Sequence, residues 1–148
     1  MRLLILSSSK RQKEDKILLP AIERYDGFMF RILKKLRREK RLPTDLDIII
    51  ISSKFGLLKP EDKIPYLDHA MTFLQARELK NKFLDELGKL LKKKSYSEIF
   101  INLGAAYLES IRGIEKLTNA RVIYAKGRMG EKARHMKNWI LCHSFGKR

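Results

Sequence analysis

The chain has 148 residues, 44% of them hydrophobic and 34% charged, and its 33 Lys plus Arg against 17 Asp plus Glu give a formal net charge of +16. That length predicts a single α/β domain over residues 1–148 that closes one core without metal or disulfides, and the lone cysteine, Cys142, excludes an internal disulfide and a cysteine zinc cluster. The basic excess points to polyanionic partners, nucleic acid first, although solvated lysines on the helix faces of a heat-adapted protein give the same count.

Arg2 to Ser7 reads as a buried strand and Ser8 to Lys16 as a polar loop. The apolar run Leu3 to Leu6 is too short for the core of a signal peptide, and no segment approaches the length that spans a bilayer. A cytoplasmic protein without membrane contact is expected. The stretch ILLPAIERYDGFMFRILKKLRREKR predicts a short helix to Tyr25, a break at Gly27 and a second helix to about Arg41. Phe30, Leu33 and Leu36 share one face of that helix. Arg31, Lys34, Lys35, Arg37, Arg38 and Arg41 crowd the rest, opposed only by Glu39, and form a candidate phosphate-binding cluster.

Ile48 to Ser52 is the second strand: four β-branched residues in a row suit a strand buried on both faces of a parallel sheet. The connection GLLKPEDKIPYLDHAMT, from Gly56 to Thr72, is long for an α/β loop, and long ordered loops tend to carry function. Its Tyr66, Asp68 and His69 are candidates, Asp68 or His69 as a general acid or base, with support of the next helix as the plainer role for both. Thr72 caps a long amphipathic helix whose apolar positions are Phe73, Ala76, Leu79, Phe83, Leu87 and Leu90. Glu98 to Leu103 is the third strand, followed by a helix from about Ala105; Arg121 to Ala125 is the fourth, followed by the helix EKARHMKNWILC. His135 and His143 sit in no metal-ligand spacing. Strands alternating with helices predict a three-layer α/β fold, a mostly parallel sheet of about four strands with helices on both faces.

A parallel sheet delivers all its strand tails to one edge. Those tails read SSSK, SSKFGLL, NLGAAY and AKGRMG, which places Ser8, Ser9, Lys10, Ser52, Lys54, Gly56, Asn102, Gly104, Tyr107, Lys126 and Gly127 together, with Arg128 beside them. Small hydroxyl residues, glycines and lysines supply what an anion pocket needs: close backbone approach, N–H donors and mobile positive charge. Taken singly, each tail is equally a turn or a helix cap, and Tyr107 equally a packing residue.

The segments LLILSSSKR, YDGFMFR, ISSKFGLLKPEDKIPY and FINLGAAYL resemble a small α/β domain family with signatures of the type SCSK, YxG, SAKYGLL and NLGxxY. They also resemble the YaaA peroxide-stress proteins and, more distantly, the catalytic domain of archaeosine synthase. The resemblance runs from the N-terminus to about Leu108. It implies functional roles for Ser9, Lys10, Tyr25, Lys54, Gly56, Tyr66, Asn102, Gly104 and Tyr107, in a nucleic-acid or modified-base setting. Ser8 stands where many relatives carry Cys, which argues against thiol chemistry, and the PC...KPY pattern of archaeosine synthase is absent, which argues against lysine transfer.

Two functions follow from these readings. The first is a nucleic-acid-associated protein whose strand-edge pocket holds a nucleotide or modified base, as a base-modifying or nucleotide-processing enzyme. There Lys54 and Lys10 neutralise the substrate, Tyr66 or Tyr107 stacks or donates, and Asp68 is the acid or base. The second is a non-enzymatic DNA or RNA binder of stress-protection type that contacts phosphates through the basic helix, Lys126 and Arg128. A small-molecule nucleotide enzyme with incidental surface charge is a third. No Walker motif, dinucleotide fingerprint, nucleophile elbow or zinc spacing assigns a cofactor, a metal or a standard enzyme class.

Overall fold

The computed structural model describes residues 1–15, 17–67 and 69–142, so the candidate Asp68, and also His143, lie outside the described residues. Its elements are β1 (Arg2–Ser7), β2 (Leu19–Pro20), α1 (Ala21–Arg24), α2 (Phe28–Arg38), β3 (Leu46–Ser52), β4 (Gly56–Leu58) and β5 (Lys63–Ile64). They continue with α3 (Phe73–Lys93), β6 (Glu98–Asn102), α4 (Ala105–Glu109), a 3-10 turn at Ile114–Leu117, β7 (Arg121–Tyr124) and α5 (Met129–Cys142).

The main sheet has five strands in the order β4-β3-β1-β6-β7. Four of them run parallel, with Ile5 of β1 beside Ile49 of β3 and Ile101 of β6. Side chains alternate across a strand, so an unbroken apolar run must be covered on both faces. Leu3, Ile5, Ile49, Ile51, Ile99 and Ile101 pack with Ala76, Phe83 and Leu87 of α3. Leu4, Leu6, Ile50 and Phe100 pack on the opposite face with Phe30, Leu33 and Leu36 of α2 and Met136 and Ile140 of α5. The result is the three-layer, mostly parallel α/β arrangement that the alternation of elements predicts. No helix among the described residues is long and apolar enough to cross a membrane.

Two pairings go beyond the sequence reading. β4 returns antiparallel onto β3, because the SSKFG segment is a tight turn: the Ser52 hydroxyl accepts from the Lys54 and Phe55 N–H groups (3.2 and 2.9 Å), and Gly56 sits at φ +79. β5 pairs with β2 through Leu19 opposite Ile64. The long connection is thereby anchored at its start and middle.

The basic helix ends earlier than expected, at Arg38. Lys40 takes φ 58, and the Arg41 N–H returns to the Leu36 carbonyl (2.8 Å) and the Lys40 N–H to the Arg37 carbonyl (3.0 Å), a Schellman ending built without glycine. Thr72 caps α3 as predicted, its Oγ1 accepting the Gln75 N–H at 3.1 Å.

Two arginines are buried structural donors. Arg2 donates to the Trp139 and Ile140 carbonyls (2.6 and 3.0 Å) near the end of α5 and lies 4.3 Å over the Trp139 ring. Arg24 gathers the carbonyls of Lys13 (2.7 Å), Asp15 (2.8 Å), Ile17 and Ile64, and so ties the first loop to β5. The Arg24 guanidinium, met by carbonyls in this way, orders irregular chain that has no ladder of its own, whereas Arg2 Nε is buried without a hydrogen-bond partner among the described residues.

Candidate functional site

The tails of β1, β3 and β6 meet where the topology sends them. The Ser8 N–H bonds the Ile51 carbonyl (2.9 Å), which locks the β1 tail to the β3 tail, and the Ser8 hydroxyl shares a hydrogen bond with the Tyr107 hydroxyl of α4 (3.2 Å). Tyr25, between α1 and α2, is buried, and its phenol faces the hydroxyls of Ser52 and Ser8. Burial pushes the Tyr25 pKa up, the two serines pull it down by less, and the balance keeps the phenol protonated. Four hydroxyls from four segments of the chain therefore share one spot.

The YDG and SSSK segments explain each other. The Gly27 N–H donates to Ser9 Oγ (3.2 Å), and a Cβ on Gly27 would stand 2.7 Å from Ser9 Cβ. Asp26 draws the Arg31 guanidinium and the Lys34 ammonium (both 3.1 Å), and Lys34 also donates to the Tyr25 carbonyl (3.0 Å). Tyr25 is thus held from behind by an ion cluster and from the side by a backbone contact that only glycine permits. Hydrogen bonding from Arg31 first, with Lys34 assisting against burial, holds the Asp26 carboxyl below the usual carboxylate range.

Asn102, at the tail of β6, completes the floor. It is 5% exposed, and its amide donates only to the thioethers of Met29 (3.3 Å) and Met136 (3.5 Å), which are weak acceptors. Its Oδ1 accepts no hydrogen bond from any described residue, and it is not sealed from solvent. Gly104 follows at φ −75, with nothing within 4 Å of where a Cβ would project. Neither conformation nor crowding by described residues calls for glycine there, so what its absent side chain leaves is room.

The remaining sequence candidates lie around this floor. Lys10, Lys54, Lys126 and Arg128 are exposed, and Gly56 is half-buried. Lys54 reaches solvent and makes no side-chain bond to a described residue, which differs from the confinement expected of a lysine directly after a buried strand; the SSKFG turn rotates it outward. Tyr66 is 45% exposed and free of hydrogen bonds to described residues. In the basic cluster Lys34 is buried on Asp26 and corrects its reading as a phosphate contact, because its ammonium is committed to the fold. Arg31, Arg37 and Arg41 are exposed but paired with Asp26, Glu23 and Glu39, so Glu39 is not the sole opposing charge; Lys35 and Arg38 keep no carboxylate partner among the described residues.

Three supporting residues escaped the sequence reading. Ser53 contacts His69 through Nδ1 (2.5 Å) and its carbonyl (2.7 Å), Gln75 donates to the Ser53 carbonyl (3.2 Å), and Gln12 donates to the Leu67 carbonyl (2.7 Å). All are struts of the long loop. Ser53 stands in a run already singled out, whereas Gln12 lies in a polar loop with no pattern to mark it. Among the described residues no group of three or more His, Cys, Asp or Glu side chains is placed to hold a metal ion.

The family model of the peroxide stress protein YaaA matches residues 3–137. The chain belongs to the YaaA peroxide-stress protein family. The match covers all four parallel strands and the segments of the strand edge. No curated protein matches the chain. The fold of this YaaA-family member is also similar to the crystal structure of AF0587, a protein of unknown function, with a TM-score of 0.55 and 14% identity over 94% of this chain and 44% of that one. The chain therefore spans less than half the length of that protein.

Two outcomes are expected from the Tyr25 mount. Gly27→Ala forces Ser9 and Gly27 apart and should cost about 1–3 kcal/mol, read as a lower urea midpoint at unchanged slope. Asp26 has a depressed pKa in the fold, so its contribution is present above the unfolded pKa of about 3.9 and is lost as pH falls through the folded value. Asp26→Asn should accordingly be less stable than the parent at neutral pH, with the gap closing below about pH 4 in melts across a pH series.

Proposed function

We propose that this YaaA-family chain is nucleic-acid-associated and holds a nucleotide or an unstacked base at the C-terminal edge of its sheet. The observation that carries this reading is the Asn102 carboxamide, buried at a strand tail and, among the described residues, with thioethers as its only partners and an acceptor left open. A carboxamide offers one donor and one acceptor in a plane, the pattern that pairs with a base edge, as Asn does with adenine. Ser8, Ser52, Tyr25 and Tyr107 supply neutral hydroxyls beside it, and Gly104 leaves the space. Lys10, Lys54 and Lys126 stand outside, where flexible ammonium groups meet a phosphate without being buried. Tyr66 offers an exposed ring to a stacked base.

The second reading, non-enzymatic binding of DNA or RNA through α2, is favoured by the exposed Lys35 and Arg38, which have no carboxylate partner among the described residues. It is weaker than the basic run suggests, because the fold neutralises most of that run with Asp26, Glu23 and Glu39.

Asn102→Leu preserves volume and the packing on Met29 and Met136 while removing both polar groups. It should lower affinity for nucleoside monophosphates at least about tenfold, with a nearly unchanged melting temperature. Equal affinity in isothermal titration would falsify the pocket. For α2, each phosphate contact contributes a salt slope of about −0.9, so Lys35→Glu with Arg38→Glu should reduce the slope for duplex DNA by about 2. An unchanged slope would place the phosphate contacts elsewhere.

A further inference from the structure

The outer edge of β3 is only half covered. β4 pairs with Ile50, Ile51 and Ser52 and stops at Leu58. The chain then leaves the sheet in a turn where the Lys59 N–H bonds Asp62 Oδ2 (2.8 Å), and Pro60 has no N–H with which to extend a ladder. Alternate residues of a parallel strand direct their backbone groups to opposite neighbours. The Asp45 carbonyl accepts from the Arg2 N–H and the Ile51 carbonyl from the Ser8 N–H, both at 2.9 Å on the β1 side. That parity turns Leu46 and Ile48 outward, and no described residue bonds their outward N–H and C=O groups.

A cavity of about 640 Å³ lies along this half of the edge. Ile22 and Leu42 wall it on the α2 side of the sheet, and Leu90 and Tyr96 on the α3 side. Both helical layers therefore overhang the sheet beyond its last full strand. The rim carries five cations, of which Arg37, Lys89 and Lys94 are paired with Glu23, Asp85 and Asp47, while Lys59 and Lys93 keep no carboxylate partner among the described residues.

We propose that this groove receives one extended segment of a partner protein as an added strand along Leu46–Ile49, aliphatic at its centre and acidic at its ends. An added strand presents alternate side chains to both walls, where Ile22 and Leu42 meet one set and Leu90 and Tyr96 the other, so its centre is aliphatic; the one carboxylate of β3 at this groove, Asp47, is held by Lys94 (2.9 Å) and Tyr96 (2.6 Å). The exposed Lys59 and Lys93 select acidic flanks. A second copy of this chain is disfavoured as the occupant, since it would bring the same rim of lysines and its own +16 against them. This inference is independent of the site proposed at the strand tails.

The probe is a fluorescein-labelled peptide, Glu-Glu-Val-Ile-Val-Ile-Val-Glu-Glu, titrated with the full chain by anisotropy beside the same peptide N-methylated at its three central residues. Saturable binding is expected for the parent peptide, weakened at least about tenfold by N-methylation, which removes backbone donors and keeps charge and side chains. Ile48→Pro, which deletes an outward N–H, should weaken binding to a similar degree. Lys59→Glu with Lys93→Glu changes only exposed side chains, so it should lower affinity at an unchanged melting temperature and serves even where Ile48→Pro does not fold. Equal binding of the two peptides, or no saturable binding of the parent peptide, overturns the proposal. So does a dimer of the protein alone, seen by sedimentation and abolished by Ile48→Pro, which would make a second copy the occupant.

Discussion

The central constraint is the parallel pairing of β1 between β3 and β6, each a strand with apolar residues on both faces. Burial on both faces demands a helical layer on each side, and parallel pairing with helical crossovers sends every strand tail to one edge. At that edge the polar residues that end the apolar runs are collected, because a buried strand stops where its sequence can no longer satisfy the core. Ser7 to Ser9, Ser52 to Lys54 and Asn102 to Gly104 are at once the ends of the hydrophobic runs and the floor of the candidate site. Fold and site share one cause.

The edge would be loose without the mount for Tyr25. The α1 to α2 turn has no ladder to hold it, so its position rests on Gly27 pressed on Ser9, on Asp26 between Arg31 and Lys34, and on Arg24 gathering the first loop. These contacts place a buried phenol against Ser8 and Ser52. They also change the meaning of the charge. Much of the basic run of α2 is internal bracing rather than a free polyanion surface, and Arg2 and Arg24 are sealed in the core. Net charge counts such groups with the solvated ones, although only solvated cations release counterions from a nucleic acid.

The two edges of the sheet for which binding is proposed differ in kind. The tail edge offers side-chain hydroxyls, a carboxamide and lysines, suited to a small polar ligand with phosphate. The lateral edge of β3 offers backbone groups between Ile22 and Leu42 on one side and Leu90 and Tyr96 on the other, within a charged rim. A single geometric fact creates the second: β4 is short, because Pro60 and the Lys59 to Asp62 turn lead the chain away from β3. Edge strands left uncovered are rare in native proteins unless they are used.

The sequence by itself determined the layers, the parallel strands, the Thr72 cap and the identity of the tail residues, because these rest on periodicities and caps written within a few residues of one another. The runs LLIL and IIII announce strands covered on both faces without any partner being known. Tertiary structure alone decided the rest. That β4 folds back on β3 depends on a turn conformation at Gly56; that Lys34 is buried and Lys54 is exposed depends on what lies opposite each. The pairing of Gly27 with Ser9 joins segments that are distant in the chain, and Asn102 meets Met29 and Met136 only after α2 and α5 have docked on the same face. Local patterns specify what each segment can be. Which charges are neutralised, which polar groups stay open and which edge stays bare are properties of contacts between segments, and those exist only in the folded chain.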